Sequence, residues 1–257
     1  MKLGYEELKK EIHIKLGIDL HAYKEQQMRR RINQWVDRHN LVSYTRLLEK
    51  IDQNSEHRKQ FVKYLTINTS HFFRDANVFT TIEKEIIPAI SKNKRPRIWS
   101  AGASIGAEIY SIAILLAEMR VKPRLLLATD LDQVILNKAV KGVYQPNQIQ
   151  NLEKRFKDKY FTILENGNAA IKDSIKNSVV FKKHDLLKDP YQTNFDLILC
   201  RNVFIYFTSE TQKRLIKNFM QSLNPNGFFV VGSAEQIMDP QAFGLKRVGY
   251  CVYQKSA

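Results

Sequence analysis

The stretch IWSAGASIGAEIYSIAI, residues 98 to 114, constrains the fold most. It opens as an apolar run of strand length and closes as a helix-period apolar run, with the small-residue turn Ala101 to Gly106 between them. Strand, glycine turn and helix form the opening unit of a doubly wound α/β sheet, and the turn is where such folds hold a nucleotide-like ligand. Strand and helix patterns go on alternating downstream. RLLLATD, NFDLILC and GFFVVGS read as strands, and Asp132 to Lys141 and Ser209 to Leu223 as helices. This alternation predicts a mostly parallel sheet, closed by LKRVGYCVYQ as an antiparallel edge strand.

Residues 1–66 carry helix patterns only: Tyr5 to Leu16, Ala22 to His39, a third capped by Ser43 and a fourth capped by Ser55. The second places Met28, Ile32, Trp35 and Val36 on one arc. The expected fold is therefore a Rossmann-like α/β domain over 67–257 behind an all-helical domain over 1–66. Asp75 is expected to cap a helix ending near Pro88. Over about 143–183 the alternation lapses into YFTIL, ENGNA and SVVFKK, which read as a small antiparallel β insert.

The turn also restricts its ligand. A dinucleotide site wants G-x-G-x-x-G and no acid beside the pyrophosphate. Here Ser104 takes the middle position and Glu108 lies in the first helical turn, where it would repel phosphate. A P-loop lysine is absent. Asp130 ends the next strand, 24 residues after Gly106, where an acid grips ribose hydroxyls. A phosphate-free nucleoside carrying a cation describes S-adenosylmethionine. RNVFIYF follows the FDLILC strand, in place of the Asn/Asp-Pro-Pro-aromatic run of base-amino methylating enzymes. The six histidines are scattered and no metal-ligand spacing occurs. Cys200 and Cys251 make no disulfide framework and suit a reducing compartment. With no apolar run near bilayer length and no signal peptide pattern, a cytoplasmic protein is expected.

No general base is evident either. An amine or alcohol must shed a proton around attack, whereas a glutamate of ordinary pKa, about 4.3, already has. Carboxylate attack on a sulfonium needs positioning, a guiding cation and a donor for the spare oxygen. Arg74, Arg201 and Tyr206 are the candidates.

TINTSHFFRD, LATDLD, FKKHDLL, FDLILCRNVFIYF and LNPNGFFVVGSAEQI, taken in this order with the glycine turn, resemble the chemotaxis receptor glutamate methyltransferases, the CheR family. The resemblance covers most of the chain. N-x-S/T-x-F-F-R together with C-R-N-V-x-I-Y-F is its most specific part. It implies methyl transfer from S-adenosylmethionine to glutamates on the cytoplasmic helical bundle of chemoreceptors. It implies cofactor contacts from Asn68, Ser70, Arg74, Glu108, Asp130, Asp185, Leu186, Cys200 and Arg201, with Arg74 and Tyr206 nearest the methyl group. It further implies a monomer recruited to membrane receptor arrays, without metal, nucleic acid or membrane insertion. Where the family usually reads S-x-G-E-E-P, this chain has Ala107 and Ile109 around Glu108, and Asp185 stands where asparagine is common.

The formal charge of +15 suits an acidic partner. Lys24, Arg31 and Arg38 recur every seven residues beside the apolar arc of the second helix, a candidate receptor-docking stripe. The same charge admits an S-adenosylmethionine-dependent RNA methyltransferase, which would show stacking platforms and salt-dependent RNA binding. A non-catalytic module that senses the cofactor is a third reading.

Overall fold

The computed structural model describes residues 3–66, 70–92 and 94–257. Contacts divide it into two units: residues up to Asn68 with Tyr206–Lys213, and Thr69–Ile205 with Arg214–Ala257.

The first unit is built on helices α1 (Tyr5–Leu16), α2 (Glu25–Arg38), α3 (Tyr44–Gln53) and α4 (Ser55–Leu65). Each buries one stripe: Leu8 and Ile12, Met28, Ile32 and Trp35, Leu47 and Ile51, Phe61 and Leu65. Burying a side chain of this size contributes roughly 1.5–3 kcal/mol. α2 starts three residues later than its apolar pattern suggests, because Leu20–Ala22 closes a 3₁₀ turn whose His21 N–H bonds the Asp19 side chain at 3.0 Å. Ser43 caps α3 as expected, accepting from Arg46 N at 3.3 Å. The cap of α4 is Asn54 instead of Ser55. Its Oδ1 accepts from the N–H groups of Glu56 and His57 at 3.0 and 2.9 Å, as an N-cap side chain does. The segment Tyr206–Lys213 joins this unit by an antiparallel bridge. Lys24 N donates to Tyr206 O at 2.8 Å, Thr208 N donates to Ala22 O at 3.0 Å, and the Tyr23 and Phe207 rings lie 4.9 Å apart.

The second unit begins with α5 (Ala76–Thr81), which passes through a π turn at Ile82–Ile86 into α6 (Ile87–Ser91). The helical path thus continues beyond Pro88, the second residue of α6, which lies directly after the π turn. The unit then runs through β1 (Arg97–Ala101), α7 (Ala107–Glu118), β2 (Leu125–Asp130) and α8 (Gln133–Lys141). A small sheet follows, of β3 (Val143–Tyr144), β4 (Phe161–Ile163) and β5 (Ala169–Ile171) in the order β3-β5-β4, with α9 (Lys154–Tyr160) between its first two strands. After it come α10 (Asp173–Lys176), β6 (Val180–Lys183), β7 (Phe195–Cys200), α11 (Ser209–Ser222), β8 (Leu223–Val231), β9 (Leu245–Gly249) and β10 (Val252–Lys255). The main sheet has the order β6-β2-β1-β7-β8-β10-β9. It is parallel from β6 to β8, and β10 and β9 are antiparallel. The observed architecture is the expected one: an α/β methyltransferase-type sheet, an all-helical unit and a small antiparallel sheet.

Two strand readings change. SVVFKK leaves the small sheet: Val180–Lys183 pairs in parallel with Leu127–Asp130 at the edge of the main sheet. The crossover that a parallel neighbour requires is the long connection from β2, which begins with α8, packed on both β2 and β6, and takes in the small sheet. LKRVGYCVYQ is a hairpin of two strands, turned at Tyr250 and Cys251, with Cys251 at φ +61°. A cysteine in that region of φ is uncommon and carries no sequence signal of a turn.

α7 buries nine of its residues, including Ile109, Tyr110, Ile112 and Leu116, so it is a core helix, apolar on every side. On β1, Trp99 packs against His184, Tyr191, Phe195 and Phe219, and its indole N–H donates to Thr129 Oγ1 at 2.9 Å. Among the described residues no helix is long and apolar enough to cross a membrane, and no three His, Cys, Asp or Glu side chains converge as a metal site would need.

Candidate active site

The turn between β1 and α7 holds three left-handed residues in five: Gly102 at φ +79°, Ser104 at +51° and Gly106 at +81°. Gly102 is required by a close approach as well, since a Cβ there would meet Val203 Cγ2 at 2.5 Å. The turn is tied to the end of β2. Gly102 N and Ala103 N donate to Thr129 O at 2.8 and 2.9 Å, and Ser104 N donates to Asp130 Oδ2 at 2.8 Å. Asp130 Oδ1 accepts from Asp132 N at 3.0 Å. Burial pushes the Asp130 carboxyl above its usual range, against the downward pull of these backbone bonds. Asp130 O accepts from His184 N at 3.0 Å, which brings the Asp185–Leu186 turn alongside. That turn is self-supporting: Asp185 Oδ1 accepts from Leu187 N at 2.8 Å, and Leu186 O accepts from Tyr191 OH at 2.9 Å.

Arg201 is the second organiser. Its side chain is 2% exposed. Nη2 donates to Asp75 Oδ2 at 2.7 Å and to Arg74 O at 2.8 Å, and Nη1 donates to Glu108 Oε2 at 3.0 Å. Glu108 Oε1 accepts from Ser100 Oγ at 2.8 Å. One guanidinium thus joins the HFFRD segment, the first turn of α7 and the end of β7. Asp75 is the N-cap of α5 as expected, its carbonyl accepting from Val78 N at 2.8 Å, but its side chain makes no cap bond; it sits at φ +63° and its carboxylate pairs with Arg201. Because Arg201 is committed to two carboxylates, it drops out as the cation that guides an acceptor. Cys200 is fully buried at the end of β7, where burial, Glu235 and Glu108 all push its thiol up, so it is no nucleophile.

Other sequence-derived residues are less tightly placed. Asn68 lies outside the described residues. Ser70 and Arg74 are part-exposed. Tyr206 lies in the 3₁₀ turn Phe204–Tyr206 and belongs by its contacts to the helical unit. Ala107 and Ile109, the departures from the family pattern, are both fully buried, so they alter the packing of α7 and leave Glu108 in place. Arg31 is a correction to the docking stripe. Its Nε donates to Tyr64 O at 2.7 Å and its guanidinium lies 4.4 Å over the Tyr64 ring, so it closes the end of α4 instead of facing a partner.

The donor set fits S-adenosylmethionine. Asp75 and Glu108 outnumber Arg201 by one negative charge, and Asp130 adds another. This balance favours a cationic nucleoside over a phosphate-bearing one. Ser104 Oγ and Arg201 Nε are buried without a hydrogen-bond partner, one an acceptor and donor, the other a donor. In this fit Glu108 would meet the ammonium and Asp130 the ribose.

The family profile described as "CheR methyltransferase, SAM binding domain" matches residues 68–249, and "CheR methyltransferase, all-alpha domain" matches residues 3–66. A chemotaxis protein methyltransferase of Listeria monocytogenes is 36% identical over 246 residues, covering 94% of this chain and 93% of its own. The Listeria innocua protein of the same name is 37% identical, with the same coverage. That of Borreliella burgdorferi is 35% identical over 211 residues, covering 77% of this chain and 74% of its own. With an S-adenosylmethionine-binding domain over its sheet and an all-alpha domain before it, the chain belongs to the CheR methyltransferase family.

Proposed function

We propose that this methyltransferase, which acts with S-adenosylmethionine in chemotaxis, esterifies glutamate side chains on the helical bundles of chemoreceptors. The observation that carries the reading is the pair of acids Glu108 and Asp130, the first held by Arg201 and the second tied to the glycine turn. The cofactor supplies a methyl group on a positively charged sulfur. Glu108 and Asp130 hold its two ends, Leu186 and Asp185 lie along its base, and Arg201 holds Glu108 in register. Ser70, Asn68 and Cys200 complete the proposed cofactor contacts. Arg74 steers the acceptor carboxylate, and the Tyr206 hydroxyl donates to its non-attacking oxygen. No proton need be removed, because the acceptor is ionised at neutral pH. The chain works by alignment and by keeping water from the site.

The relatives' names favour chemotaxis over RNA modification. The site of action is cytoplasmic, at receptor arrays, with the enzyme a monomer. The test is incubation with radiolabelled S-adenosylmethionine and either receptor-rich membranes or RNA, followed by base. Glutamyl methyl esters release volatile methanol. Label retained on RNA, or no transfer at all, would overturn the reading in favour of RNA modification or a cofactor sensor.

A further inference from the structure

The loop after β7 runs Arg201, Asn202, Val203, Phe204, Ile205, and it carries the guanidinium that joins the three parts of the cofactor cradle. Such a loop has backbone N–H groups that must be satisfied once buried. Two of them, joined by the N–H of Gly232, point at one side chain. Glu235 Oε2 accepts from Asn202 N at 2.7 Å and from Gly232 N at 2.6 Å, and Oε1 accepts from Ile205 N at 3.2 Å. Glu235 is 6% exposed. Its own N–H donates to Gly232 O at 2.9 Å, which folds residues 232–235 back under the loop. Gly232 leaves the space this needs: a Cβ there would lie 2.6 Å from Glu235 Oε2 and 2.8 Å from Asn202 N. Asn202 sits at φ +60°, a conformation that something outside the residue must hold.

We infer that Glu235 is the positioning residue of this loop: its carboxylate gathers the N–H groups of Gly232, Asn202 and Ile205 and so sets Arg201 between Asp75 and Glu108. No other ion pair is needed for the carboxylate to stay in place. Burial pushes its carboxyl up, and the bonds from Gly232, Asn202, Ile205 and Phe204 push it back down. A glutamine cannot replace it. A carboxamide has a single acceptor oxygen, and in either orientation its NH₂ faces a backbone N–H. The role rests on the methyltransferase reading and adds to it a residue that never touches cofactor or acceptor.

Hydrogen exchange and kinetics test this together. In the wild type the amides of Asn202 and Ile205 should exchange far more slowly than those of the exposed turn Glu165–Asn168. In Glu235→Gln they should speed up about tenfold or more, as expected for losing one strong hydrogen bond, while the amides of β7 stay protected. With receptor as acceptor, kcat should fall about tenfold or more while KM for receptor stays within about twofold. Gly232→Ala, which displaces the carboxylate without changing charge, should reproduce both effects and decides the matter if Glu235→Gln does not fold. Unprotected Asn202 and Ile205 amides in the wild type, or wild-type kcat in a folded variant, would overturn the inference. Failure of the wild type to make base-labile esters would instead strike the functional reading, and the exchange pattern would still decide the role of Glu235.

Discussion

At the residue scale, Asp130 shows how binding and stability pull apart. Its native carboxyl holds protons more tightly than in the unfolded chain, so the native state binds more protons in the window above the usual carboxylate range. Stability from this group therefore falls as pH rises through that window. Asp130→Asn should lose about 1–3 kcal/mol of cofactor affinity, read by calorimetry with S-adenosylhomocysteine. The same variant should gain stability relative to wild type as pH is raised from about 4 to 7 in denaturant titrations. Arg74→Ala addresses the acceptor side: transfer to receptor should drop by about a hundredfold or more, as for loss of a charged transition-state contact. Cofactor affinity should change much less, and equal losses in both would move Arg74 out of the acceptor role.

Among elements, the charged face of α2 divides into two kinds of residue. Arg31 bonds the Tyr64 carbonyl and stacks on its ring, so Arg31→Ala removes a charge-assisted bond at the end of α4. That should cost about 1.5–3 kcal/mol of stability in urea unfolding. Lys24 at the start of that helix and Arg29, Arg30 and Arg38 along it are exposed. Their charge is available to a partner, although Arg29 also lies 5.2 Å over the Tyr5 ring and Arg38 lies 5.5 Å over the Tyr64 ring. A seven-residue period in the sequence cannot separate the two kinds, because it reports which edge of the helix a residue occupies and not which neighbouring element reaches it.

For the whole molecule, a net charge of +15 would act on the proposed acidic acceptor through long-range attraction. Lys24→Glu combined with Arg38→Glu should raise KM for receptor several-fold at low salt and leave cofactor affinity unchanged. The difference from wild type should shrink once the Debye length falls to about 3 Å near 1 M salt. A KM difference that survives high salt would point to a direct contact and not to steering.

Periodicity and turn chemistry are local, and they were enough for the α/β alternation, the helical unit, the glycine turn and the acids Glu108 and Asp130. They also carried the motifs on which the family resemblance stood. Residues distant in the chain needed the tertiary structure. The Asp75 carboxylate has the look of a helix cap until Arg201 arrives from the end of β7. Arg31 has the look of a surface cation until the end of α4 meets it. Val180–Lys183 belongs to the main sheet only because β2 offers its edge. Glu235 lies inside a recognisable motif, yet nothing local announces its role, since its partners in the loop after β7 are backbone N–H groups some 30 residues earlier in the chain. A backbone donor is the same at every position in a sequence, and only folding decides which donors lose their water and converge on one carboxylate.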